Sequence, residues 1–116
     1  MFKLSKVARI ILFVRDMDVA VKFYTEVLGI PLQYRFGDWA GLATEGVEIC
    51  LHGGRTAIAP PHGDPSIGFH VDDFDATCTE LKARGVKLGN IFSPSPGIRV
   101  AHFDDPDGNE LGIEGK

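Results

Sequence analysis

The sequence contains little cysteine, no long hydrophobic run and no excess of positive charge. Its 116 residues include two cysteines, Cys50 and Cys78, which are too few for a disulfide framework and lack the CxxC spacing of a redox or zinc motif. Both lie in apolar patterns, where a free thiol acts as a small hydrophobic residue. This cysteine usage suits a reducing compartment.

The hydrophobic pattern and the net charge exclude further classes of protein. The longest apolar stretch, residues 8–14, is interrupted by Arg9 and is too short to cross a bilayer, and the N-terminus lacks a signal-peptide pattern. The net charge of −4, without a basic cluster, argues against binding to nucleic acid. We therefore expect a cytoplasmic protein with neither a membrane nor a nucleic-acid partner.

What the sequence does contain is an internal repeat. Read with an offset of 57 residues, residues 10–18 align with residues 67–75, and both stretches lead into an amphipathic helix closed by Gly29 or Gly85. A repeat of this kind indicates one supersecondary unit used twice, with the apolar faces of both copies buried. We expect function where the two copies meet.

Each copy is predicted to contain a strand, a helix and three further strands. In the first copy Asp16 or Asp18 caps the helix, and strands follow at 30–36, 39–44 and 47–51. In the second copy Asp73 caps the helix, and strands follow at 86–91, 98–103 and 110–114, with a break at 94–97. The proline-rich segment 55–65 is a linker, so one domain, 1–116, consists of modules 7–54 and 66–116.

The alternation of residues along these strands sorts side chains onto two faces of a sheet. One face is uniformly apolar and should cover the helices. The opposite, concave face is predicted to carry the remaining strand residues and is the candidate site for a small molecule. Its members are Arg9, Ile11, Phe13, Glu48, Cys50, His52, Ser66, His70 and Gly112.

Several motifs resemble those of a known superfamily. Val14-Arg15-Asp16 precedes a helix that ends in FYTEVLG at 23–29, and residues 99–103 lead to the Asp-Pro-Asp-Gly-Asn turn at 105–109. Over essentially the whole chain, these motifs resemble the vicinal oxygen chelate superfamily of glyoxalases, bleomycin resistance proteins and extradiol dioxygenases. The resemblance implies an α+β fold of tandem βαβββ modules, with a curved mixed sheet around a cavity, helices on the outer face, and commonly a homodimer.

The resemblance also implies a divalent metal in many members of the superfamily. Carried over by position, its ligands fall on Arg9, Glu48, Ser66 and Gly112. Only Glu48 is a competent ligand, because arginine has no lone pair to donate and glycine has no side chain. We therefore expect no cofactor at the usual site. A displaced divalent-metal site formed by Glu48, His52 and His70 stays open, against the simpler interpretation that both histidines are solvated.

The same residues suit the binding of an organic ligand. Arg9 could pair with Glu48 or grip a ligand's carboxylate or phosphate, or it could simply reach solvent. Glu48 interrupts an apolar strand, which favours a functional role, with general base as the possible catalytic one. The aromatic residues Phe13, Tyr34, Phe36 and Trp39 could stack on a planar ligand, with core packing as the default.

Arg99 and His102 precede the C-terminal turn, and the chain shows no catalytic nucleophile. Arg99 is expected to support the turn by bonding Asp105 or Asp107, while the face occupied by His102 is undetermined. The chain has no nucleophile motif and no phosphate-binding glycine loop. The acid near Cys50 should raise the thiol's pKa, so a catalytic cysteine is not expected.

Two hypotheses follow from these residues. The first is a metal-free module, resembling bleomycin resistance proteins, that binds a small molecule in the cavity through Arg9, Phe13, Glu48, Cys50, His52, Ser66 and His70. The second is a metal-dependent enzyme of glyoxalase type, a lyase, isomerase or dioxygenase, in which Glu48 is a ligand or the general base. The substitutions at Arg9 and Gly112 favour the first hypothesis.

Overall fold

The computed structural model describes residues 2, 3, 5, 7–57 and 65–116. The chain divides into two compact units, Met1–Ala57 and Ile58–Lys116. Most of the predicted linker, residues 58–64, lies outside the described residues. Among those described, no helix has the length and apolar character that crossing a membrane requires.

The first unit is a four-stranded mixed sheet with one helical segment. Its elements are β1 (Arg9–Phe13), α1 (Met17–Lys22), a π-helical turn (Phe23–Val27), β2 (Leu32–Phe36), β3 (Trp39–Leu42) and β4 (Glu48–His52). The strand order is β1-β4-β3-β2, with β1 parallel to β4 and the other pairs antiparallel.

The second unit repeats this arrangement. Its elements are β5 (Ile67–His70), α2 (Phe74–Ala83), β6 (Phe92–Ser95), β7 (Ile98–Asp104) and β8 (Glu110–Gly115). The strand order is β5-β8-β7-β6, again with one parallel pair, β5 and β8. The predicted α+β fold of two βαβββ modules is confirmed.

Both helices begin at the aspartates that the repeat relates. The Asp16 carboxylate accepts a hydrogen bond from the Val19 amide at 3.1 Å, and the Asp73 carboxylate accepts one from Ala76 at 3.0 Å. Each bond satisfies a backbone donor that the first helical turn leaves unpaired. After the helices, Gly29 and Gly85 adopt positive φ angles of 75° and 87°, as predicted for C-terminal residues.

Two predicted elements differ from those observed. The first helix is interrupted because Phe23–Val27 forms a π-helical turn, whereas α2 is regular. The strand predicted at 86–91 is wrong, since β6 lies at Phe92–Ser95 and contains Pro94. Proline is tolerated there because β6 is an edge strand with an irregular register, so no ladder bond requires its missing N–H.

The alternation predicted the buried face of each sheet correctly. In the first unit, α1 packs against β4 on this face, and in the second unit α2 packs against β8. Burial of each leucine or isoleucine side chain contributes about 1.5–3 kcal/mol to folding. The apolar strand residues buried on this face are Leu12, Ala40, Leu42, Ile49 and Leu51 in the first unit and Ala101, Phe103, Leu111 and Ile113 in the second.

Candidate ligand-binding face of the first unit

The sheet of the first unit carries a set of aromatic and ionisable side chains on the face opposite the helix. The strand registers arrange them in cross-strand rows. We call this surface the polar-aromatic face. Its three rows are Phe13, His52, Trp39 and Phe36; Ile11, Cys50, Gly41 and Tyr34; and Arg9 with Glu48.

The first row brings aromatic rings from all four strands into register. The His52 ring lies 5.2 Å from the Phe13 ring and 5.9 Å from the Trp39 ring, between their centroids. Phe36 is the cross-strand neighbour of Trp39, and its ring lies 5.7 Å from that of Tyr34. The default assignment to the core is wrong for Phe13 and Phe36, which are 50% and 73% exposed, whereas Tyr34 and Trp39 are half-buried.

Tyr34 lies across the neighbouring strand because a glycine makes room for it. An ideal Cβ on Gly41 would collide with the Tyr34 ring and hydroxyl. With only hydrogen at that position, the phenol extends from β2 over β3 to β4, where its hydroxyl donates a hydrogen bond to Glu48 Oε1. An isolated glycine inside a strand is the sequence signal for such a close approach.

Glu48 accepts a second hydrogen bond at the same oxygen. The Cys50 thiol donates to Oε1 at 3.0 Å. The bonds from Cys50 and Tyr34, together with the positive charge of Arg9, lower the pKa of Glu48 below its ordinary value of 4.5. The bond to the carboxylate favours the protonated phenol and raises the pKa of Tyr34 to about 12. At neutral pH the cluster is therefore one carboxylate held by two neutral donors.

Cys50 is a hydrogen-bond donor in this cluster. Burial is the main reason that its pKa is raised, and the hydrogen bond to Glu48 raises it further. The expected direction of this shift is confirmed, although burial contributes more than the acid does. Cys78 in α2 is also buried with a raised pKa.

Arg9 stands opposite Glu48 in the parallel register, but of the alternatives left open by the sequence, an ion pair between the two is not formed. Among the described residues, no carboxylate lies within ion-pair distance of its guanidinium. Glu48 instead has Tyr34 and Cys50 as partners, because both reach its Oε1 from the second row of the same face. The exposed guanidinium acts on Glu48 through its charge alone.

The predicted site histidines have different surroundings. His52 is on the polar-aromatic face, where its Nδ1 lies 2.6 Å from the Gly53 carbonyl oxygen. His70 is in the second unit, exposed, with Nε2 3.6 Å from an Asp72 carboxylate oxygen. Ser66, also in the second unit, is exposed just before β5. Roles for His70 and Ser66 in ligand binding stay predictions.

The strand registers correct one assignment of the usual metal positions. Cys50 pairs with Ile11, and Gly112 pairs with Gly68, which is the repeat equivalent of Ile11. The first-unit counterpart of Gly112 is therefore Cys50. Glu48 lies two residues earlier, as Glu110 does in the second unit, so the predicted assignment of Glu48 to this metal position is wrong.

The residues at the usual metal positions do not fit a divalent ion. Arg9 is a cation, and Cys50 is a buried thiol whose proton is retained and donated to Glu48. At Gly112, even a Cβ would lie 2.8 Å from His102 Cδ2. Within the described ranges, no group of three or more histidine, cysteine, aspartate or glutamate side chains is arranged to hold a metal.

The structure shows which face His102 occupies and which residues Arg99 binds. His102 faces the same side of its sheet as Gly112, stacks on Phe92 at 5.6 Å, and places Nε2 3.6 Å from Glu110 Oε1. The prediction that Arg99 supports the turn by bonding Asp105 or Asp107 is wrong, and Arg99 instead joins β7 to the second helix. It binds Asp75 at the start of α2 through two bonds of 2.9 and 3.2 Å.

The Asp105 carboxylate forms hydrogen bonds within its own turn. The Asp105 carboxylate accepts hydrogen bonds from the amides of Asp107 and Asn109, both at 2.8 Å, and from the Asn109 side chain at 2.9 Å. This carboxylate is buried and serves the fold of the second unit.

Comparison with known proteins places this arrangement in a family. The model of the Glyoxalase/Bleomycin resistance protein/Dioxygenase superfamily matches residues 6–113. A Vibrio parahaemolyticus protein named "Probable lactoylglutathione lyase" is 31% identical to this chain, with 90% of this chain and 86% of that protein covered. An Escherichia coli protein named "Uncharacterized protein YaeR" is 32% identical, with 96% of each chain covered.

A solved structure supports the same fold. The lactoylglutathione lyase from Agrobacterium tumefaciens is similar to this chain with a TM-score of 0.77 and 20% identity, covering 96% of this chain and 93% of its own. At that identity the likeness concerns the fold alone. With the family match over nearly the whole length and the repeated βαβββ units, the chain belongs to the glyoxalase, bleomycin resistance protein and dioxygenase superfamily.

Proposed function

We propose that this chain binds a small planar molecule on the polar-aromatic face of the first unit and does so without a metal. The observation that carries the proposal is the cross-strand row of Phe13, His52, Trp39 and Phe36, whose rings are in register and partly exposed. Aromatic side chains prefer to bury their faces against other rings. A planar ligand would supply that contact.

The chemistry of the neighbouring groups supports binding of an organic molecule over a metal ion. Glu48 is ionised and Arg9 is exposed beside it, so the face offers an acceptor and a donor of opposite charge. The positions that hold the family's metal carry a guanidinium, a protonated thiol, a hydroxyl and a glycine.

The homodimer, the cytoplasmic location and the one-domain organisation stay predictions.

Trp39 is the chain's single tryptophan and lies within the aromatic row, so its fluorescence reports on ligand stacking. We expect planar aromatic compounds to change this fluorescence and to raise the melting temperature, because they bind only the folded protein. Replacing Phe36 with serine should weaken their binding about two- to tenfold, the value of one aromatic contact.

A matched control comes from the repeat. Phe92 pairs with Val100 as Phe36 pairs with Trp39, and it is also exposed. The Phe92→Ser variant should retain the affinity of the unmodified chain. Equal loss in both variants, or in neither, would contradict a site on the first unit.

A second candidate function rests on the relatives named lactoylglutathione lyase. In that case Glu48 would be the general base of a lyase or isomerase. Incubation with methylglyoxal and glutathione, which combine to a hemithioacetal, followed through gain of the thioester absorbance of S-lactoylglutathione with and without added zinc or nickel, separates the two candidates. We expect no turnover in either condition. Turnover that requires the metal would replace the proposed binding function.

A further inference from the structure

The Glu48 carboxylate is bonded on one side only. Both the Tyr34 hydroxyl and the Cys50 thiol donate to Oε1. Within the described part of the chain, no residue donates a hydrogen bond to Oε2. An ionised carboxylate can accept about four hydrogen bonds, so the Oε2 side retains its full accepting capacity.

The surroundings of the carboxylate fix which oxygen is presented. Cys50 is buried in β4, and Tyr34 lies over Gly41, so the two donors reach Glu48 from the sheet surface. The groups that face Glu48 are Arg9 from β1, Tyr34 from β2 and Cys50 from its own strand, while β3 contributes only Gly41 to that row. Tyr34 also connects Glu48 to the aromatic row, because its ring is next to Phe36.

We infer that Glu48 Oε2 receives an N–H donor of a planar aromatic ligand stacked at Tyr34 and Phe36, and that Tyr34 is the positioning residue for this carboxylate. The inference rests on the proposed function, since it assumes the aromatic surface as the binding platform. It names the ligand class as planar aromatic compounds with an amide, amine or amidine group. Arg9 alone would instead select compounds with an anionic group.

Three probes of nearly equal shape distinguish these possibilities. Benzamidinium and benzamide carry N–H donors, whereas benzoate carries acceptors only. We expect both donor-bearing probes to bind the unmodified protein at least about tenfold more tightly than benzoate, the value of a hydrogen bond to a charged group. Their affinity should fall in acid as Glu48 becomes protonated. Tyr34 and Cys50 cannot cause that loss, because their raised pKa values keep them protonated throughout.

Variants test the roles of the two residues separately. Glu48→Gln should abolish the preference for benzamidinium over benzoate. Tyr34→Phe keeps the ring but removes the donor, so the pKa of Glu48 should rise and binding of benzamide should be lost at a higher pH than in the unmodified protein. Phe36→Leu is the matched control, since it should weaken all three probes without moving that pH.

Each other outcome overturns the inference in a recognisable way. If benzoate binds best, Arg9 is the anchor. If Tyr34→Phe leaves the pH of half-binding unchanged, Tyr34 does not position the carboxylate. Equal binding of the three probes would leave the aromatic platform intact and remove only the role of Glu48. The absence of binding by any probe at millimolar concentration would remove the platform and the proposed function together.

Discussion

The two units share their topology but use equivalent positions differently. Asp18 and Asp75 are related by the repeat, and each binds an arginine near the start of its helix. In the first unit the arginine is Arg35 from β2, with one oxygen–nitrogen contact of 2.8 Å. In the second unit it is Arg99 from β7, which makes two bonds to Asp75 and lies 4.6 Å over the Phe74 ring.

The sheet faces show the same divergence. Glu48 and Glu110 occupy equivalent positions, and in each unit a ring lies over a glycine toward the glutamate. Tyr34 lies over Gly41 and hydrogen-bonds to Glu48, whereas His102 lies over Gly112 and stays 3.6 Å from Glu110. The Asp105 turn of the second unit has its carboxylate buried in three hydrogen bonds.

The comparison shows that two units with the same topology can direct similar polar side chains to different neighbours. The second unit uses its ionic and polar groups to join a helix to a strand and to close a turn. The first unit leaves an ionised carboxylate and a row of rings accessible on the sheet. Substitutions at matched residues should therefore affect stability in one unit and ligand binding in the other.

The largest expected effect comes from the buried carboxylate of the second unit. Asp105→Ala leaves two backbone amides and the Asn109 side chain without their acceptor, and we expect it to destabilise the fold by about 2–4 kcal/mol. Glu48→Gln, the comparison variant on the first unit, should change stability much less. Urea denaturation of both variants measures the difference, and an equal loss would show that Glu48 is also structural.

The fold was predictable because the internal repeat indicates two equivalent units and the alternation of apolar residues indicates the buried face of each sheet. Asp16, Asp73, Gly29 and Gly85 mark helix ends through local chemistry that the sequence shows directly. The position of β6 was missed because proline inside a strand is acceptable only at an edge, and edge position is a tertiary property.

The site was predictable only in part. Alternation placed Arg9, Glu48 and His52 on one face, since it depends on a period of two. It could not give the partner of Glu48, because Tyr34 reaches it from two strands away across Gly41. Likewise, the partner of Arg99 lies 24 residues away, on a helix whose placement depends on packing.

The next largest effect on stability is expected from the two contacts between an arginine and a helix, Arg99 with Asp75 and Arg35 with Asp18. Removal of the guanidinium in Arg99→Met should lower the melting temperature more than Arg35→Met does, because Arg99 has two bonds to Asp75, the Phe74 ring and the Lys116 carbonyl.

The effect of pH follows from the sign of the shift at Asp75. Arg99 lowers the pKa of Asp75 below its ordinary value of 3.8. The stabilisation is therefore fully present above that pH and is lost as the pH falls through the lowered value. Melting curves should show the Arg99→Met deficit shrinking below pH 3.8, and a constant deficit would assign it to ring packing.

The smallest expected effect on stability comes from Gly41 and Gly112, the two glycines that lie under the Tyr34 and His102 rings. One of these substitutions should also change the pKa of Glu48. In Gly41→Ala the new Cβ should push the half-buried Tyr34 ring away from Glu48, with little cost because the ring can turn toward solvent. Without that donor, the pKa of Glu48 should rise toward its ordinary 4.5, so its contribution to stability should be lost from a higher pH.

Gly112→Ala displaces His102 in the other unit and should leave the pKa of Glu48 unchanged. Carboxyl carbon NMR titration of Glu48 in both variants measures this difference, and a pKa that moves equally in both would mean that the two faces are not independent.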